Sequence, residues 1–299
     1  MNIIEFEGVT KTIRKNKILQ NISFKIKSGE IIGLIGPSGS GKTTIMKIIA
    51  DFYKPTTGEI LIPASKDIGF TTQNNCFYSK LTVKENMRYF GNILGIKNLT
   101  NKITELLDFV ELSGHEQKYA NELSGGMLRR LDFAISLLDD PQILLIDELT
   151  AGLDPISRLK FTEKIIELNK QGKTIIISSH LLDEVEAICD RLIFIKDGIS
   201  VKEGTLDDFK TNSFFEEIII QSVPGNYSKI ISTLKKYSGV VESYSIEDNK
   251  LIIYTNKISQ IIHHISHAIR INHETLIELD VHKPDLNTFF KEIVEGDHD

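Results

Sequence analysis

Apolar residues in the first two thirds of the chain form short continuous runs that alternate with segments of helical spacing. One run, in "EIIGLIG", leads into a glycine-rich stretch, after which "TTIMKIIA" repeats apolar residues at helical spacing. Further runs lie in "PQILLIDE", "KTIIISSH" and "RLIFIKDG", and the helical stretch "LLDEVEAICD" separates the last two. Continuous apolar runs are typical of parallel strands that are buried on both faces. The alternation therefore predicts an α/β fold with a doubly wound sheet.

The pattern changes after "EGTLDDFKTNSFF", and we place a domain boundary near residue 212, which separates 1–212 from 213–299. The elements predicted beyond it are, in order, strand "FEEIIIQSV", helix "NYSKIISTLKKYSG", strands "VVESYSI" and "KLIIYTN", helix "KISQIIHHISHAIRI" and strand "TLIELDVHKP". A last predicted helix, "DLNTFFKEIVEG", begins at the cap Asp285. The order β-α-β-β-α-β predicts a small α+β, ferredoxin-like domain.

The composition is that of an ordinary globular chain, since 41% of its 299 residues are hydrophobic. The start lacks the apolar core of a secretion signal, and no run approaches the roughly 18 apolar residues of a membrane helix. Cys76 and Cys189 give no disulfide framework, and we expect reduced packing residues of a cytosolic protein. Residues 211–299 carry more Asp and Glu than Lys and Arg, so nucleic acid is not an expected partner.

A phosphate-binding loop is predicted in "GPSGSGKT", which fits G-x-x-x-x-G-K-[ST] between a predicted strand and a predicted helix. Glycines in this motif let backbone N–H groups wrap a phosphate. Lys42 is expected to reach the β- and γ-phosphates, and Thr43 is expected to bind magnesium. The expected nucleotide-binding residues of the loop are Gly36, Pro37, Ser38, Gly39, Ser40, Gly41, Lys42, Thr43 and Thr44.

Two carboxylates, Asp147 and Glu148, follow the apolar run "ILLI". Ligands of open α/β sheets bind outside the carboxyl ends of the strands. Asp147 is expected to hold magnesium through water, and Glu148 to polarise the water that attacks the γ-phosphate. A pair of solvated turn residues is the alternative. His180 also ends a predicted strand; such a histidine is most often structural, but at this edge it can hydrogen-bond a γ-phosphate.

The start of the helix in "ELSGGMLRRL" is a second candidate phosphate site. Gly125 and Gly126 each cost a helix interior roughly 1 kcal/mol relative to alanine, which indicates a need for bare backbone. Ser124 is a good N-cap, and the remaining free N–H groups with the helix dipole favour an anion. An ordinary Ser-capped turn is the alternative interpretation.

In its motifs and their order, the sequence resembles the nucleotide-binding subunit of ATP-binding-cassette (ABC) transporters over roughly residues 2–205. The matching segments are, in order, "GPSGSGKT", Gln73 in "TTQNN", "LSGGM", "ILLIDE", Asp154 in "AGLDP", and His180. The resemblance implies a P-loop NTPase cassette with a RecA-like core, a β-subdomain, and a helical signature subdomain at about 74–138.

The resemblance also implies a role for each matching residue. Glu148 corresponds to the catalytic base, and His180 to the switch residue that contacts the γ-phosphate. Gln73 corresponds to the glutamine that links magnesium to the membrane partner. Asp154 joins the nucleotide-binding set, and its sequence context alone makes it the N-cap of a helix that begins at Pro155.

In the resembling proteins two cassettes pair head to tail, and the signature helix of each caps the γ-phosphate that the other holds. The resemblance therefore implies ATP and Mg²⁺ as ligands, a homodimer or paired cassette, and ATP hydrolysis that drives a separate membrane permease. The implied location is cytoplasmic, on the cytosolic face of the membrane through the permease. The tail resembles accessory domains of exporters whose membrane subunit is a separate chain, which favours efflux.

Two helical patterns, "LTVKENMRYFGNILGI" and "LTNKITELLDFVELSG", lie between Gln73 and the signature, with Thr82 and Thr100 as candidate caps. By resemblance, their face near Gln73 receives a short cytosolic helix of the membrane subunit. The alternative is that these helices merely cover the core.

Two positions depart from the family pattern: Leu149 stands where proline is usual, and Ile13 where many cassettes carry an aromatic residue that stacks on adenine.

Three other functions share part of the pattern. A phosphate-loop kinase would use Lys42 and Asp147 but would leave the "LSGG" helix without a role. A chromosome-structure ATPase inserts long coiled coils between the two nucleotide motifs, for which this chain has no room. A soluble cassette that acts on ribosomes or on cofactor assembly is the remaining alternative.

His263 and His267 have the spacing of a metal pair, but they lie opposite the predicted isoleucine stripe, so we expect no metal there.

Overall fold

The computed structural model describes residues 1–62, 67–72, 76–148, 153–179, 182–211, 216–237, 241–255, 257–282, 286 and 290. The chain divides into two compact units, Met1–Leu206 and Asp207–Asp299. This division lies a few residues before the boundary near 212 that the sequence predicts.

The strands of the first unit are β1 (Asn2–Ile13), β2 (Asn16–Lys27), β3 (Ile31–Ile35), β4 (Thr57–Leu61), β5 (Ile68–Thr71), β6 (Ile143–Asp147), β7 (Thr174–Ser178), β8 (Arg191–Lys196) and β9 (Ile199–Thr205). Its helices are α1 (Lys42–Ile49), α2 (Val83–Ile93), α3 (Leu99–Phe109), α4 (Gly125–Ser136), α5 (Pro155–Lys170) and α6 (Leu182–Ile188). A short helix, α7 (Leu206–Thr211), begins where this unit ends.

A six-stranded sheet in the order β5-β6-β7-β3-β8-β9 forms the centre of the first unit. Strands β5, β6, β7, β3 and β8 run parallel to one another, and β9 pairs antiparallel with β8. Helices cover both faces. Ile32 and Leu34 of β3 share an apolar cluster with α1, whereas a Cβ added at Gly33 would lie 2.6 Å from Val185 of α6. The doubly wound sheet predicted from the apolar runs is thus confirmed.

A smaller antiparallel sheet, in the order β2-β1-β4, is the expected β-subdomain. Phe6 of β1 and Phe24 of β2 stack with their ring centroids 4.4 Å apart. Both rings belong to the same apolar cluster as α1. The two sheets therefore share one core, which fixes the start of α1 against the strands that carry the candidate site.

The helical subdomain contains α2, α3 and α4. Thr82 caps α2 as predicted, because its hydroxyl accepts the N–H of Glu85 while the Glu85 carboxylate accepts the N–H of Thr82. The cap prediction for α3 is wrong. Its N-cap is Asn98, whose φ of 53° makes a left-handed turn directly into the helix, so Thr100 already lies in the first turn.

The second unit contains β10 (Glu216–Val223), α8 (Tyr227–Leu234), β11 (Ser243–Glu247), β12 (Lys250–Thr255), α9 (Ile258–Ile271) and β13 (Thr275–His282). These elements follow the predicted order β-α-β-β-α-β. The strands form an antiparallel sheet in the order β11-β12-β10-β13. On α9, Ile261 and Ile265 are buried and His263 is exposed. The last predicted helix, from Asp285, lies outside the described residues except for two positions.

Both cysteines are free. Cys189 is buried, and burial raises the pKa of its thiol. Cys76 is exposed, so the expectation that it is a packing residue is wrong. Among the helices in the described ranges, none combines the length and the apolar character that crossing a bilayer requires.

Candidate active site

Three neighbouring parallel strands, β6, β7 and β3, end at one edge of the central sheet. Asp147 is the last residue of β6 and pairs with Ser178, the last residue of β7. The glycine-rich loop follows β3 and leads directly into α1. The sheet topology therefore brings the loop and the two carboxylates to the same edge, where parallel α/β sheets bind ligands.

The loop depends on backbone that only glycine supplies. Gly36 has a φ of 144°, and a Cβ there would lie 1.9 Å from the carbonyl oxygen of Ile195. Gly41, the N-cap of α1, has a φ of 112°, and a Cβ there would lie 2.5 Å from Leu19. These two glycines hold the loop close to its neighbours, in the form that lets backbone N–H groups face an anion. The Ser40 N–H donates to the carbonyl oxygen of Pro37 at 3.2 Å within the loop.

Lys42 is folded back onto the loop. Its Nζ donates to the carbonyl oxygens of Gly36 at 2.7 Å and Pro37 at 2.8 Å, and the residue is only 6% exposed. Burial lowers the pKa of its ammonium group, and the charges of Glu148 and Asp147 oppose that shift. A buried cation beside two carboxylates and a loop of free N–H groups is suited to bind a polyphosphate that carries its own cation.

Asp147 is 2% exposed, and one of its carboxylate oxygens accepts the hydroxyl of Ser178. Its other oxygen, Oδ2, is buried and has no hydrogen-bond partner among the described residues. A buried carboxylate oxygen without a donor fits a cation or a cation-bound water. Together with the hydroxyl of Thr43, at the start of α1, it offers the oxygen ligands that Mg²⁺ prefers.

Glu148 has a left-handed backbone with a φ of 52°. Such a conformation costs a residue other than glycine on the order of 1–3 kcal/mol and is concentrated at functional sites. The N–H of Glu148 donates to the carbonyl oxygen of Ser178 at 3.1 Å. This hydrogen bond attaches the backbone at Glu148 to the end of β7.

Ser178 was not predicted as a site residue. It bonds the Asp147 side chain through its hydroxyl and the Glu148 backbone through its carbonyl group. The sequence shows only a serine at the end of an apolar run. Its role depends on the pairing of β6 with β7, which no local pattern reveals.

The signature helix α4 begins at Gly125, and the hydroxyl of its N-cap Ser124 accepts the N–H of Met127 at 3.3 Å. The predicted cap is thus confirmed. A Cβ at Gly125 would meet no atom of the described residues within 4 Å, and one at Gly126 would make only an ordinary contact of 3.5 Å with Leu153. Contacts within the described part of the chain therefore give no steric reason for either glycine.

Asp154 is the N-cap of α5, as predicted, and Pro155 is the first residue of that helix. Its carboxylate accepts the N–H groups of Ile156 and Ser157 and the Ser157 hydroxyl. The Ser157 hydroxyl and these N–H groups lower the pKa of the carboxyl group. Its predicted part in nucleotide binding stays a prediction.

Three positions that the sequence singles out, Gln73, Leu149 and His180, lie outside the described residues. Their neighbours are described. Thr72 and Cys76 flank Gln73, and Ser179, which precedes His180, donates its hydroxyl to Glu184 at 3.5 Å. The roles of Gln73 and His180 stay predictions.

Comparison with known proteins gives consistent matches. A family model described as ABC transporter matches residues 19–151. The uncharacterized ABC transporter ATP-binding protein YcbN of Bacillus subtilis is 32% identical over 98% of this chain and 97% of its own. The Nod factor export ATP-binding protein I of Rhizobium etli is 34% identical over 87% of this chain and 85% of its own.

Among solved structures, a dimeric post-hydrolysis state of the ATP-binding cassette MJ0796, bound to ADP and Pi, is 30% identical to this chain. It covers 68% of this chain and 99% of its own, with a TM-score of 0.64. The match supports the cassette fold and adds a nucleotide-bound, dimeric example of it.

Proposed function

This chain belongs to the ATP-binding proteins of ABC transporters, and we propose that it is the cassette of an exporter whose permease is a separate chain. It is an ATPase subunit that works as a dimer. The observation that carries the proposal is the convergence of the buried Lys42, the phosphate loop and the Asp147 and Glu148 carboxylates at one sheet edge. The cassette is assigned to residues 1–212 and an accessory domain to 213–299.

The residues of the loop bind the phosphates of ATP. Lys42 exchanges the carbonyl groups of Gly36 and Pro37 for phosphate oxygens, which carry more negative charge. The buried hydroxyl of Ser40, which has no partner among the described residues, gains one from the nucleotide. Binding thus satisfies polar groups that the free loop leaves unpaired or weakly paired.

Thr43, Gln73 and, through water, Asp147 would hold Mg²⁺, which would supply charge neutralisation for the phosphates. Glu148 accepts a proton from the attacking water. The Ser178 hydroxyl occupies one oxygen of Asp147 and leaves the other for the cation, while the backbone bond from Glu148 to Ser178 fixes the position of the Glu148 main chain. His180 contacts the γ-phosphate.

Ser124, Gly125 and Gly126 act on the ATP of the partner subunit. Their helix start presents free N–H groups, and an added Cβ would clash with none of the described residues at either glycine. A phosphate bound by a second subunit would explain why these two positions carry no side chain. Hydrolysis removes the bridging γ-phosphate and loosens the interface.

The permease docks on exposed aromatic side chains of the helical subdomain. The ring of Tyr89 in α2 lies edge-on to Tyr78 at 4.8 Å and to Phe90 at 5.3 Å, and both tyrosines are largely exposed. Exposed aromatic clusters are typical of binding surfaces. This cluster follows Gln73 closely in the chain, which suits a short cytosolic helix of the membrane subunit and supports a proposed location at the cytosolic face of the membrane. The relative named for Nod factor export supports the outward direction.

Glu148→Gln tests the proposal, because the amide cannot accept the proton while the phosphate loop is unchanged. We expect this variant to bind ATP, to lose nearly all turnover and to accumulate as an ATP-bound dimer in gel filtration with ATP and magnesium. Lys42→Ala is the control, which stays monomeric because it binds no ATP. A Glu148→Gln variant that stays monomeric while it hydrolyses ATP normally would contradict the assignment.

A further inference from the structure

Two side chains on one face of the signature helix bond the chain on either side of Gln73. Arg129 donates from Nη1 to the carbonyl oxygen of Thr72 at 3.1 Å. Asp132, one turn later, accepts the N–H of Cys76 at 2.7 Å through its Oδ1. The two anchors lie i and i+3 on α4, so both face the same side of the helix.

The same face of α4 continues into a tight contact with β5. Ser136, one turn beyond Asp132, accepts the hydroxyl of Thr71 at 3.1 Å. A Cβ added at Gly69 would lie 2.3 Å from the carbonyl oxygen of Ser136, so the strand backbone lies directly against the helix. The end of β5 and the chain beyond it are therefore held along three successive turns of α4.

The burial of the Asp132 carboxylate in this contact is energetically unfavourable. The residue is 2% exposed, and its second carboxylate oxygen has no partner among the described residues. Burial raises the pKa of the carboxyl group to about 6, although the Cys76 N–H and the Arg129 charge oppose the shift. An apolar side chain of similar size would stabilise the helix packing at least as well. The carboxylate is thus better explained by the bond it makes than by stability.

We infer that Arg129 and Asp132 are positioning residues that join the signature helix to the chain flanking Gln73, so that the two move as one body. The inference rests on the proposed function, in which the start of α4 binds the partner's ATP and Gln73 faces the permease and the magnesium ion. A displacement of the flanking chain is carried by the two anchors into α4. Ser124, at the start of that helix, is displaced with it.

The test measures ATP-driven dimerisation in the Glu148→Gln background, where turnover does not remove the ATP. Asp132→Ala loses the acceptor for the Cys76 N–H, and we expect the dimer to dissociate about tenfold more readily. The affinity of the monomer for ATP should stay unchanged, because the phosphate loop is intact. Asp132→Asn keeps an oxygen acceptor at the same place and should restore dimerisation.

Ile165→Val controls for a general loss of stability, because Ile165 is a buried core residue of α5 that does not belong to the contact. This variant should lose some stability but leave dimerisation unchanged. Equal dimerisation by Asp132→Ala and its parent overturns the inference, as does an equal loss in the Ile165→Val control. If the Glu148→Gln parent itself stays monomeric with ATP, the proposed function fails instead.

Cys76 provides a second readout that does not depend on ATP. Its thiol is exposed and Cys189 is buried, so a maleimide labels Cys76 selectively in the folded protein. Asp132→Ala should speed this labelling several-fold relative to Asp132→Asn, since both remove the charge but only the alanine releases the Cys76 backbone. Equal labelling rates in the two variants would show that Asp132 does not hold this segment.

Discussion

Ile13 is the last residue of β1 and pairs with Asn16 across the hairpin to β2. It is partly buried, and the next residue, Arg14, is exposed with a φ of 57°. An aromatic ring stacked on a base contributes roughly 1–3 kcal/mol, which an aliphatic side chain at this position does not supply. We therefore predict weak discrimination of the base, with GTP hydrolysed at a rate comparable to ATP.

The matched change is Ile13→Tyr, which should lower the Michaelis constant for ATP by about tenfold. Arg14→Ala is the companion variant, because a guanidinium plane stacked on the base would replace the missing aromatic ring and strengthen base binding in the wild type. Steady-state hydrolysis of ATP and of GTP by the wild type, Ile13→Tyr and Arg14→Ala tests this prediction. Strong wild-type preference for ATP that survives Ile13→Tyr would show that the base is read elsewhere.

Asp132 makes stability depend on pH. Burial raises the pKa of its carboxyl group from 3.8 to about 6, so the folded state holds this proton more tightly than the unfolded chain does. Stability from this group is full below pH 4 and falls as the pH rises through about 6. Relative to Asp132→Asn, the wild type should lose roughly 2–3 kcal/mol of unfolding free energy across this window. Denaturant titrations between pH 4 and pH 7 measure the difference, and parallel pH profiles would contradict the assigned shift.

At the scale of elements, the caps of α2 and α3 allow a paired test. Thr82 has both bonds of a capping box, so Thr82→Ala should lower the free energy of unfolding by about 1 kcal/mol. Thr100 caps nothing and is exposed inside the first turn of α3, so Thr100→Ala should leave stability unchanged or slightly raise it. Chemical denaturation of the two variants checks the pair, and equal losses would restore Thr100 as a cap.

The same two helices show where sequence patterns suffice. The α2 cap and the α5 cap at Asp154 are local, because all of their bonding groups lie within a few residues. The α3 start depends on the left-handed turn at Asn98, which is one of several conformations open to that residue. Local patterns therefore predict a helix cap when its bonding groups lie close together in the sequence. They fail when the backbone conformation of a preceding turn determines where the helix begins.

Contacts between distant elements could not be predicted in this way. Ser178 reaches Asp147 only because β6 and β7 are neighbours in register. Asp132 is one of several polar residues on α4, and its burial follows from how β5 packs against that helix. Both features depend on tertiary structure that no local spacing encodes, and both bear on the candidate site.

At the scale of the whole molecule, the chain carries two elements that suit a phosphate but only one phosphate loop. The loop is built around Lys42, while α4 begins with Gly125, which has open space beside it among the described residues, and Gly126, where an added Cβ would make only an ordinary contact with Leu153. In a symmetric dimer each loop meets the signature helix of the other subunit, which gives two equivalent sites. The catalytic unit is then the pair, and hydrolysis per subunit should rise with protein concentration as the dimer forms.

Mixing two inactive variants tests this arrangement directly. Lys42→Ala removes the phosphate contact of a subunit's own loop, and Gly126→Val blocks the phosphate that a partner presents. In the mixed dimer one site carries both defects, and the other combines an intact loop with an intact signature helix. One of the two sites of a mixed dimer is intact and at most about half of the dimers are mixed, so activity should return to no more than about a quarter of the wild-type value. Coupled-enzyme measurement of ATP hydrolysis before and after mixing gives the result. If each signature helix instead served its own subunit, both subunits of every mixed dimer would be defective and mixing would restore nothing.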